Sequence, residues 1–569
     1  MRKRRFSRFA GTAAVVCLLI MGARGGPHRG ASVFDKGAEI DKLFDRWNTA
    51  ETPGGAVVVI LDGNIVHQKG YGMANLEWRI PNTPETVFCI GSVSKQFTAY
   101  CIALLEARGK LRLEDDYRKY IPEMPDYGER ITVGDLVHHT SGIRDDQMLW
   151  YLGDWEQGEL HGAREVIDQI LAKQKGLLFR PGREFDYSNA NYLLLGEIVR
   201  RVGGTSLREF ARDNIFRPLG MTRTFFLDDF REIVRSRAWS YVLGEGGTYR
   251  AYIDTNDLVG AGGVHTTILD MARWNANFDA PRAGDAGIVR RVLVRGRLSD
   301  GNETAYAFGL EHDVFRGRAV VRHDGSYGGY KAMFLRIPEE RFAVFCAANA
   351  DDVDARRVCY QAARIYLGDR LPVPSASPGP RLIELPGEAL NALAGAYRNT
   401  RNMDLMTVSV KSGRLVCRIN EELSTEYAPV SVDEFRPVTP GLPFFLKVGK
   451  PGPAARAELH AYLNGKRSHI YEPIERAAPA ESDLREYEGF YHGNELSTTY
   501  RFEVRGGELF VRFKRAPKSP LRRIVKDQFA AWPLIFDFFR DENGRIRGFR
   551  LGRIGLQGIP FLRLEPAAK

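Results

Sequence analysis

Apolar positions along this chain change period from segment to segment, and each period predicts a different element. From Phe34 to Ala50, the residues Ile40, Leu43, Phe44 and Trp47 recur at helical spacing. Gly55 to Leu61 and Asn64 to Gly70 are strand-like runs joined by Asp62-Gly63, a strong two-residue hairpin turn. Three more strand-like runs (Arg318 to His323, Tyr330 to Ile337, Phe342 to Ala348) precede a helical stretch from Asp354 to Leu367. Short connections make neighbouring strands antiparallel, so this unit reads as one antiparallel sheet flanked by its first and last helices. Residues 92–300 read as mostly helix and loop.

Beyond residue 370 the pattern alternates with period two, and the region repeats itself. A shift of 94 carries Gly395-Ala396-Tyr397 onto Gly489-Phe490-Tyr491, Val408 onto Phe502, Gly413 onto Gly507, Leu415 onto Leu509 and Phe435 onto Phe529. Hairpins in series of this kind predict a small antiparallel barrel or sandwich, present twice. Pro-rich stretches over Leu371 to Gly387 and around Pro479 read as extended linkers. The resulting division is 1–25, 35–370, a linker over 371–387, then 388–476 and 483–569.

The first segment is an address. Arg2, Lys3, Arg4, Arg5 and Arg8 precede an uncharged, mainly apolar run from Gly11 to Ala23, which is too short to span a bilayer and reads as a secretory signal peptide. The expected location is therefore secreted or periplasmic. Those five cations are half of the formal +10 charge, and the remainder is spread too thinly for a nucleic-acid binder. Six cysteines without a C-x-x-C pair argue against a disulfide scaffold or a zinc ribbon. Cys17 lies in the signal, and the five left are an odd number. No metal or cofactor motif is present, and G-x-S-x-G, H-E-x-x-H, P-loop and G-x-G-x-x-G patterns are all missing.

What remains is Ser92-Val93-Ser94-Lys95. A serine and a lysine three apart share a helix face, and a neutral amine beside a hydroxyl can take its proton. A helix start at Ser92 would aim free N–H groups at the reacting centre. Tyr187-Ser188-Asn189 offers a phenol for proton transfer and an amide for holding substrate. His323-Asp324-Gly325-Ser326 ends a strand-like run, where Gly325 would let a substrate backbone lie against the strand edge and the Ser326 N–H would serve as an oxyanion donor. His138-His139 has no carboxylate partner nearby and reads as structural.

These three pieces in this order resemble the serine β-lactamase and penicillin-binding-protein superfamily, above all its class C-like branch of esterases, D-aminopeptidases and DD-peptidases. His139-Thr140-Ser141-Gly142, Pro218-Leu219-Gly220-Met221 and Gly260-Ala261-Gly262-Gly263 agree with it. The resemblance covers about residues 35 to 370, and the trailing repeats, with Tyr491-His492-Gly493-Asn494-Glu495-Leu496, resemble the paired eight-stranded barrels of D-aminopeptidases. It implies an α/β unit, β-lactamase/transpeptidase-like, followed by two antiparallel barrels. It further implies that Ser92 forms an acyl-enzyme, that Lys95 or Tyr187 is the base, and that Asn189 holds the acyl-side amide. Ser92 and Ser326 N–H groups would form the oxyanion hole, with His323 lining the cleft and bonded to Tyr187.

The departures bear on substrate. Where β-lactamases and DD-carboxypeptidases usually carry a lysine and a threonine for a substrate carboxylate, this chain has His323 and Asp324. That demotes substantial β-lactamase activity and favours esters, D-amino-acid amides or short D-peptides, with a DD-peptidase or weak β-lactamase as the alternative. The loop that gates amine substrates in D-aminopeptidases maps to Asp527–Asp537, which is short here. A reading of another class keeps the scaffold as a silent envelope-binding protein. The basic run Arg512, Lys514, Arg515, Lys518, Arg522, Arg523 and Lys526 is read mainly as a solvated barrel face, with weak contact to anionic envelope polymer as the functional alternative.

Overall fold

The computed structural model describes residues 35–565 apart from 154, 156–161, 373–380, 401–403, 420–422, 440–443, 452–455, 464–465, 476–480, 514–518, 532–533 and 554–555. The signal segment, much of both linkers, and Lys514, Arg515 and Lys518 of the basic run lie outside the described residues.

Six strands form the sheet of the large unit: β1 (Gly55–Leu61), β2 (Asn64–Tyr71), β3 (Glu311–Phe315), β4 (Arg318–Tyr327), β5 (Tyr330–Ile337) and β6 (Phe342–Ala348). Their order is β3-β4-β5-β6-β1-β2, antiparallel throughout. The two chain ends of the unit meet where β1 pairs with β6, with Gly55 opposite Ala348.

Alternation sorts the side chains into two cores. Val57, Val59, Val344 and Cys346 face α1 (Lys36–Lys42) and the last helix of the unit, Ala355–Leu367. Ala56, Val58, Phe345 and Ala347 join a larger core with the helical subregion. The first and last helices therefore share one face of the sheet, and the helical subregion covers the other. With both faces buried, β1 and β6 are apolar at every position instead of alternating.

The helical subregion is built around α2 (Lys95–Ala107), which is buried on every side from Lys95 to Leu105 and carries Lys95, Gln96 and Thr98 at its otherwise apolar start. Two further helices position the site: α3 (Asp146–Gly153) and α4 (Asn189–Gly203). Among the described residues, no helix is long and apolar enough to cross a membrane.

The repeat appears as two closed eight-stranded antiparallel barrels, one over Gly395–Ile474 and one over Gly489–Arg563. The equivalence reaches single bonds: the Tyr397 hydroxyl donates to the Leu393 carbonyl at 2.8 Å, and Tyr491 donates to Tyr487 at 2.9 Å. Gly395 and Gly489 both adopt left-handed φ, +137° and +140°. In the second barrel, strands Gln528–Ala531 and Leu534–Arg540 pair antiparallel with Ala531 opposite Leu534, and residues 532–533 between them lie outside the described residues. Asp527, just before the first of these strands, is tied to Arg540 and to the Tyr487 hydroxyl.

Candidate active site

Ser92 lies in a 3₁₀ turn, Gly91–Ser94, that runs straight into α2. In such a turn side chains three apart eclipse, which stacks Lys95 under Ser92. Lys95 Nζ is 3.0 Å from Ser92 Oγ, 2.8 Å from Asn189 Oδ1 and 2.8 Å from the Ala261 carbonyl. The loop that makes the last contact depends on Gly260. A β-carbon on Gly260 would stand 2.5 Å from the Tyr192 carbonyl, so only glycine lets that loop close onto the helices. Ser94, the other serine of the motif, points into the core, where its Oγ accepts from Val264 N–H.

Burial drives the Lys95 amine down to about 7, against the opposing pull of the Asp145 and Asp146 carboxylates. Tyr187 packs its ring 4.8 Å from Lys95 Nζ, and its phenol interacts with the Ser92 side chain. Burial raises the Tyr187 phenol well above its ordinary range. Of the two candidate bases, the amine is the one available near neutrality.

Asn189 opens α4 and is held from the other side. Asp145 Oδ2 accepts from its backbone N–H at 2.7 Å and from its Nδ2 at 2.9 Å. The amide orientation is thus fixed, with Oδ1 left for Lys95.

The end of β4 supplies the third motif. Strand β3 pairs with β4 only as far as Arg322, leaving residues 323–327 with an open edge toward Ser92. The β4–β5 hairpin closes through Gly328-Gly329 with Tyr327 opposite Tyr330. Hydrogen-bonded pairs alternate in such a ladder, so the Ser326 N–H turns away from β5 toward the Ser92 turn. Gly325 has a different part from the one expected. A β-carbon there would lie 2.0 Å from the Ile90 carbonyl and 3.0 Å from Ser92 N, so its lack of a side chain seats the nucleophile turn on the strand. Gly91 is equally constrained, with φ +50° and Ser326 N 2.7 Å from where its β-carbon would be.

His323 departs most from expectation. It is 2% exposed, lies outside the cleft lining, and its Nε2 accepts from Tyr306, not from Tyr187. Its Nδ1 is 2.7 Å from the Asp324 carbonyl, which can only accept, so the proton sits on Nδ1 and Nε2 is the acceptor. Burial and the Lys95 charge hold the imidazole down to about 4. Asp324 turns to the opposite face, bound by Arg322 and Arg356, and offers the cleft no charge.

Several residues of the site carry no motif. His139 packs against the rings of Tyr187 (4.4 Å), Tyr306 (4.6 Å) and Tyr192 (5.1 Å), wedging Tyr187 in place. It is buried and neutral, as a structural histidine should be. Asp145, Asp146 and Tyr306 escape sequence reading altogether. The clue to the first two was present: adjacent acids two residues beyond His139-Thr140-Ser141-Gly142, ahead of an apolar helix.

In front of Ser92 is a cleft of about 400 Å³, walled by Trp150, Tyr151, Tyr252 and Tyr327 among others. Asp146 and Asp254 line it, and no lysine or arginine does so among the described residues. Asp146 is buried with no hydrogen-bond partner for Oδ1, and burial next to Asp145 pushes it up to about 8. All five described cysteines are buried free thiols; Cys89, at the cleft wall, is raised to about 12 by burial. No group of side chains suited to a metal occurs among the described residues.

The family model for Beta-lactamase matches residues 40–367, more than half of the sequence. The chain belongs to the β-lactamase family. This family member is 27% identical over 538 residues to a D-aminopeptidase of Brucella anthropi, covering 90% of the chain and 96% of that protein. It is 25% identical to penicillin-binding protein 4* of Bacillus subtilis (strain 168), over 70% of the chain and 91% of that protein. The octameric penicillin-binding protein homologue of Pyrococcus abyssi shares its fold, with a TM-score of 0.53 at 22% identity, covering 85% of the chain and 99% of that structure. With the Ser92 constellation in place, the chain is a serine hydrolase of the β-lactamase/penicillin-binding-protein fold.

Proposed function

We propose that this serine hydrolase is exported and cleaves amides and short peptides that begin with a D-amino acid, accepting simple esters as well. The observation that carries the substrate class is the lining of the cleft: two carboxyl groups and, among the described residues, no lysine or arginine, while its one histidine there, His265, is held down to about 4 by burial. A substrate ammonium arriving beside Asp146 would draw its carboxyl into the charged form and supply the partner Oδ1 lacks. A β-lactam or a C-terminal D-alanine brings a carboxylate, for which the cleft lining offers no lysine or arginine among the described residues. The D configuration follows from similarity to the Brucella anthropi D-aminopeptidase over nearly its whole length. Here amine preference would be set within the cleft wall, since Asp527 is held inside its own barrel by Tyr487 and Arg540.

In this mechanism Ser92 Oγ attacks the substrate carbonyl as neutral Lys95 takes its proton. The oxyanion is held by the Ser92 and Ser326 N–H groups. The proton then passes from Lys95 by way of Tyr187 to the leaving amine as the C–N bond breaks. Water, deprotonated by the same amine, hydrolyses the acyl-enzyme and restores Ser92. Asn189 gives one Nδ2 proton to Asp145 and has the second to donate to the acyl-side amide.

The test compares kcat/KM for D-alanine p-nitroanilide, its N-acetyl derivative and a chromogenic cephalosporin. The free-amine substrate should lead both others by at least about tenfold, the worth of one charge-assisted contact. Equal rates for amine and acetylated substrates, or preference for the cephalosporin, would overturn the substrate class. Fluorophosphonate labelling that survives Ser92→Ala would overturn the nucleophile. Export is tested by finding the mature N-terminus near residue 25 in protein recovered outside the cytoplasm.

A further inference from the structure

The second barrel meets the catalytic unit at a buried ion pair. Glu495, in the turn between the barrel's first two strands, places Oε2 2.8 Å from Arg144 Nη1, and both side chains are only 5% exposed. Around it the bonding is dense and directional. Arg144 Nη1 donates to Gln174 Oε1 at 3.1 Å, Gln174 Nε2 donates to the Glu495 carbonyl at 3.2 Å, and Lys175 N–H donates to Glu495 Oε2 at 3.1 Å. Farther along the same barrel, the Tyr500 hydroxyl donates to the Leu152 carbonyl at 2.9 Å. The barrel thus grips both ends of the segment from Arg144 to Gly153.

That segment carries the supports of the site. Asp145, the next residue after Arg144, fixes Asn189 through two hydrogen bonds, and Asn189 accepts from Lys95. Asp145 also accepts from Met148 N–H at 3.0 Å, starting the helix whose first residue, Asp146, stands in the cleft wall. A path of direct bonds therefore runs from Glu495 to the amine beside Ser92, interrupted by a single peptide unit.

We propose that Glu495 is a positioning residue, and that the second barrel completes the catalytic site by holding Arg144 and Asp145 where Asn189 and Lys95 require them. This rests on the reading of Ser92 as nucleophile and Lys95 as base. Displacements of about an ångström in a catalytic group cost on the order of a hundredfold in rate. Charge adds a second effect, which shows in the pH midpoint and not in the limiting rate. The groups facing Lys95 are the carboxyls of Asp145 and Asp146, the imidazoles of His139 and His323, and the rings of Tyr187 and Tyr192. Those facing Arg144 include Glu495 and Tyr127 among the described residues. Removing the Glu495 charge makes the surroundings of Asp145 more positive, which offsets the carboxylate that favours protonated Lys95.

The test uses the full-length protein, with Glu495→Gln and the double variant Arg144→Met/Glu495→Met. Each is measured for melting temperature, for the rate of fluorophosphonate labelling at Ser92 well below that temperature, and for the pH midpoint of labelling. Glu495→Gln should label about tenfold to a hundredfold more slowly, with its midpoint moved to lower pH. The methionine pair removes both charges at similar volume, so its melting temperature should recover. Its labelling should stay slow, because methionines keep none of the directional bonds. If Glu495→Gln melts earlier but labels at the wild-type rate and midpoint, the pair only joins two domains and the proposal fails. Recovery of rate along with stability in the double variant would overturn it equally. Wild-type protein that resists labelling, or labels when Ser92 is alanine, would instead bring down the underlying reading of the site.

Discussion

Lys95 Nζ stands 3.0 Å from Ser92 Oγ, and its two other neighbours, Asn189 Oδ1 and the Ala261 carbonyl, can only accept hydrogen bonds. A neutral amine has two N–H bonds and one lone pair. Two pure acceptors use both N–H bonds, which leaves the lone pair directed at the serine hydroxyl. The surroundings therefore suit a deprotonated lysine, in keeping with an amine brought down to about 7 by burial. The arrangement is poised to abstract a proton without any movement of Lys95.

Activity should accordingly rise with pH around a midpoint near 7, because the amine acts only after losing its proton. Lys95→Met should lower kcat by about 10²–10⁴, the usual worth of a general base. Lys95→Arg should do no better, since guanidinium does not deprotonate in this range. Single-turnover acylation against pH measures both. A wild-type profile flat from about pH 5 to 9 would remove Lys95 from the role.

Gly325→Ala should be far more damaging than its size suggests. The added methyl would lie 2.0 Å from the Ile90 carbonyl and 3.0 Å from Ser92 N, and both neighbours are backbone. Relief requires the nucleophile turn to move off β4, which separates the two oxyanion donors. Overpacking of this kind costs about 1–3 kcal/mol of stability. Loss of a single oxyanion donor costs about 10²–10³ in kcat. Thermal unfolding and acylation rate together check it, and a near wild-type rate would show that the turn is not seated on Gly325.

Tyr306→Phe isolates the support of His323. The phenol is the partner of Nε2, and both side chains are almost fully buried. Removing it leaves a buried acceptor unsatisfied, at a cost of about 1–3 kcal/mol. Urea unfolding should show that loss, and the His323 ring should titrate differently by NMR. An unchanged midpoint of unfolding would mean that His323 finds another partner.

Much of the architecture and of the site was legible in the sequence for identifiable reasons. Strands β1, β2, β5 and β6 are short runs bounded by turn residues, and the doubled barrel shows in one constant offset from Gly395 to Phe435. Ser92, Lys95, Tyr187 and Asn189 were visible because their chemistry depends on fixed local spacing. The position of His323 was not, because its partner Tyr306 comes from a loop with no motif and the choice between Tyr187 and Tyr306 is made by packing. Asp145 and Asp146 were hidden for a similar reason: their meaning depends on α4 and the second barrel, which are distant in sequence. Even Gly325 was visible only as a glycine. What it makes room for, Ile90 and Ser92, emerges from three dimensions.

Acid should destabilise this protein through histidines rather than through its surface ion pairs. His138, His265 and His323 are each held down to about 4, and His139 is held well below its ordinary value, chiefly by burial. Between about pH 6.5 and 4 the unfolded chain binds protons at these rings and the native protein does not, so stability falls as pH falls through that window. Each pH unit spent inside that window costs about 1.4 kcal/mol per ring, and several rings act together, so the slope should be steep. Above about pH 6.5 these rings are neutral in both states and contribute no slope. Urea unfolding at about pH 7.5, 6 and 5 measures it, and replacing His265 by Gln should flatten part of the dependence without touching the nucleophile. A stability that stays level down to about pH 5 would mean that the buried imidazoles take up protons in the native state.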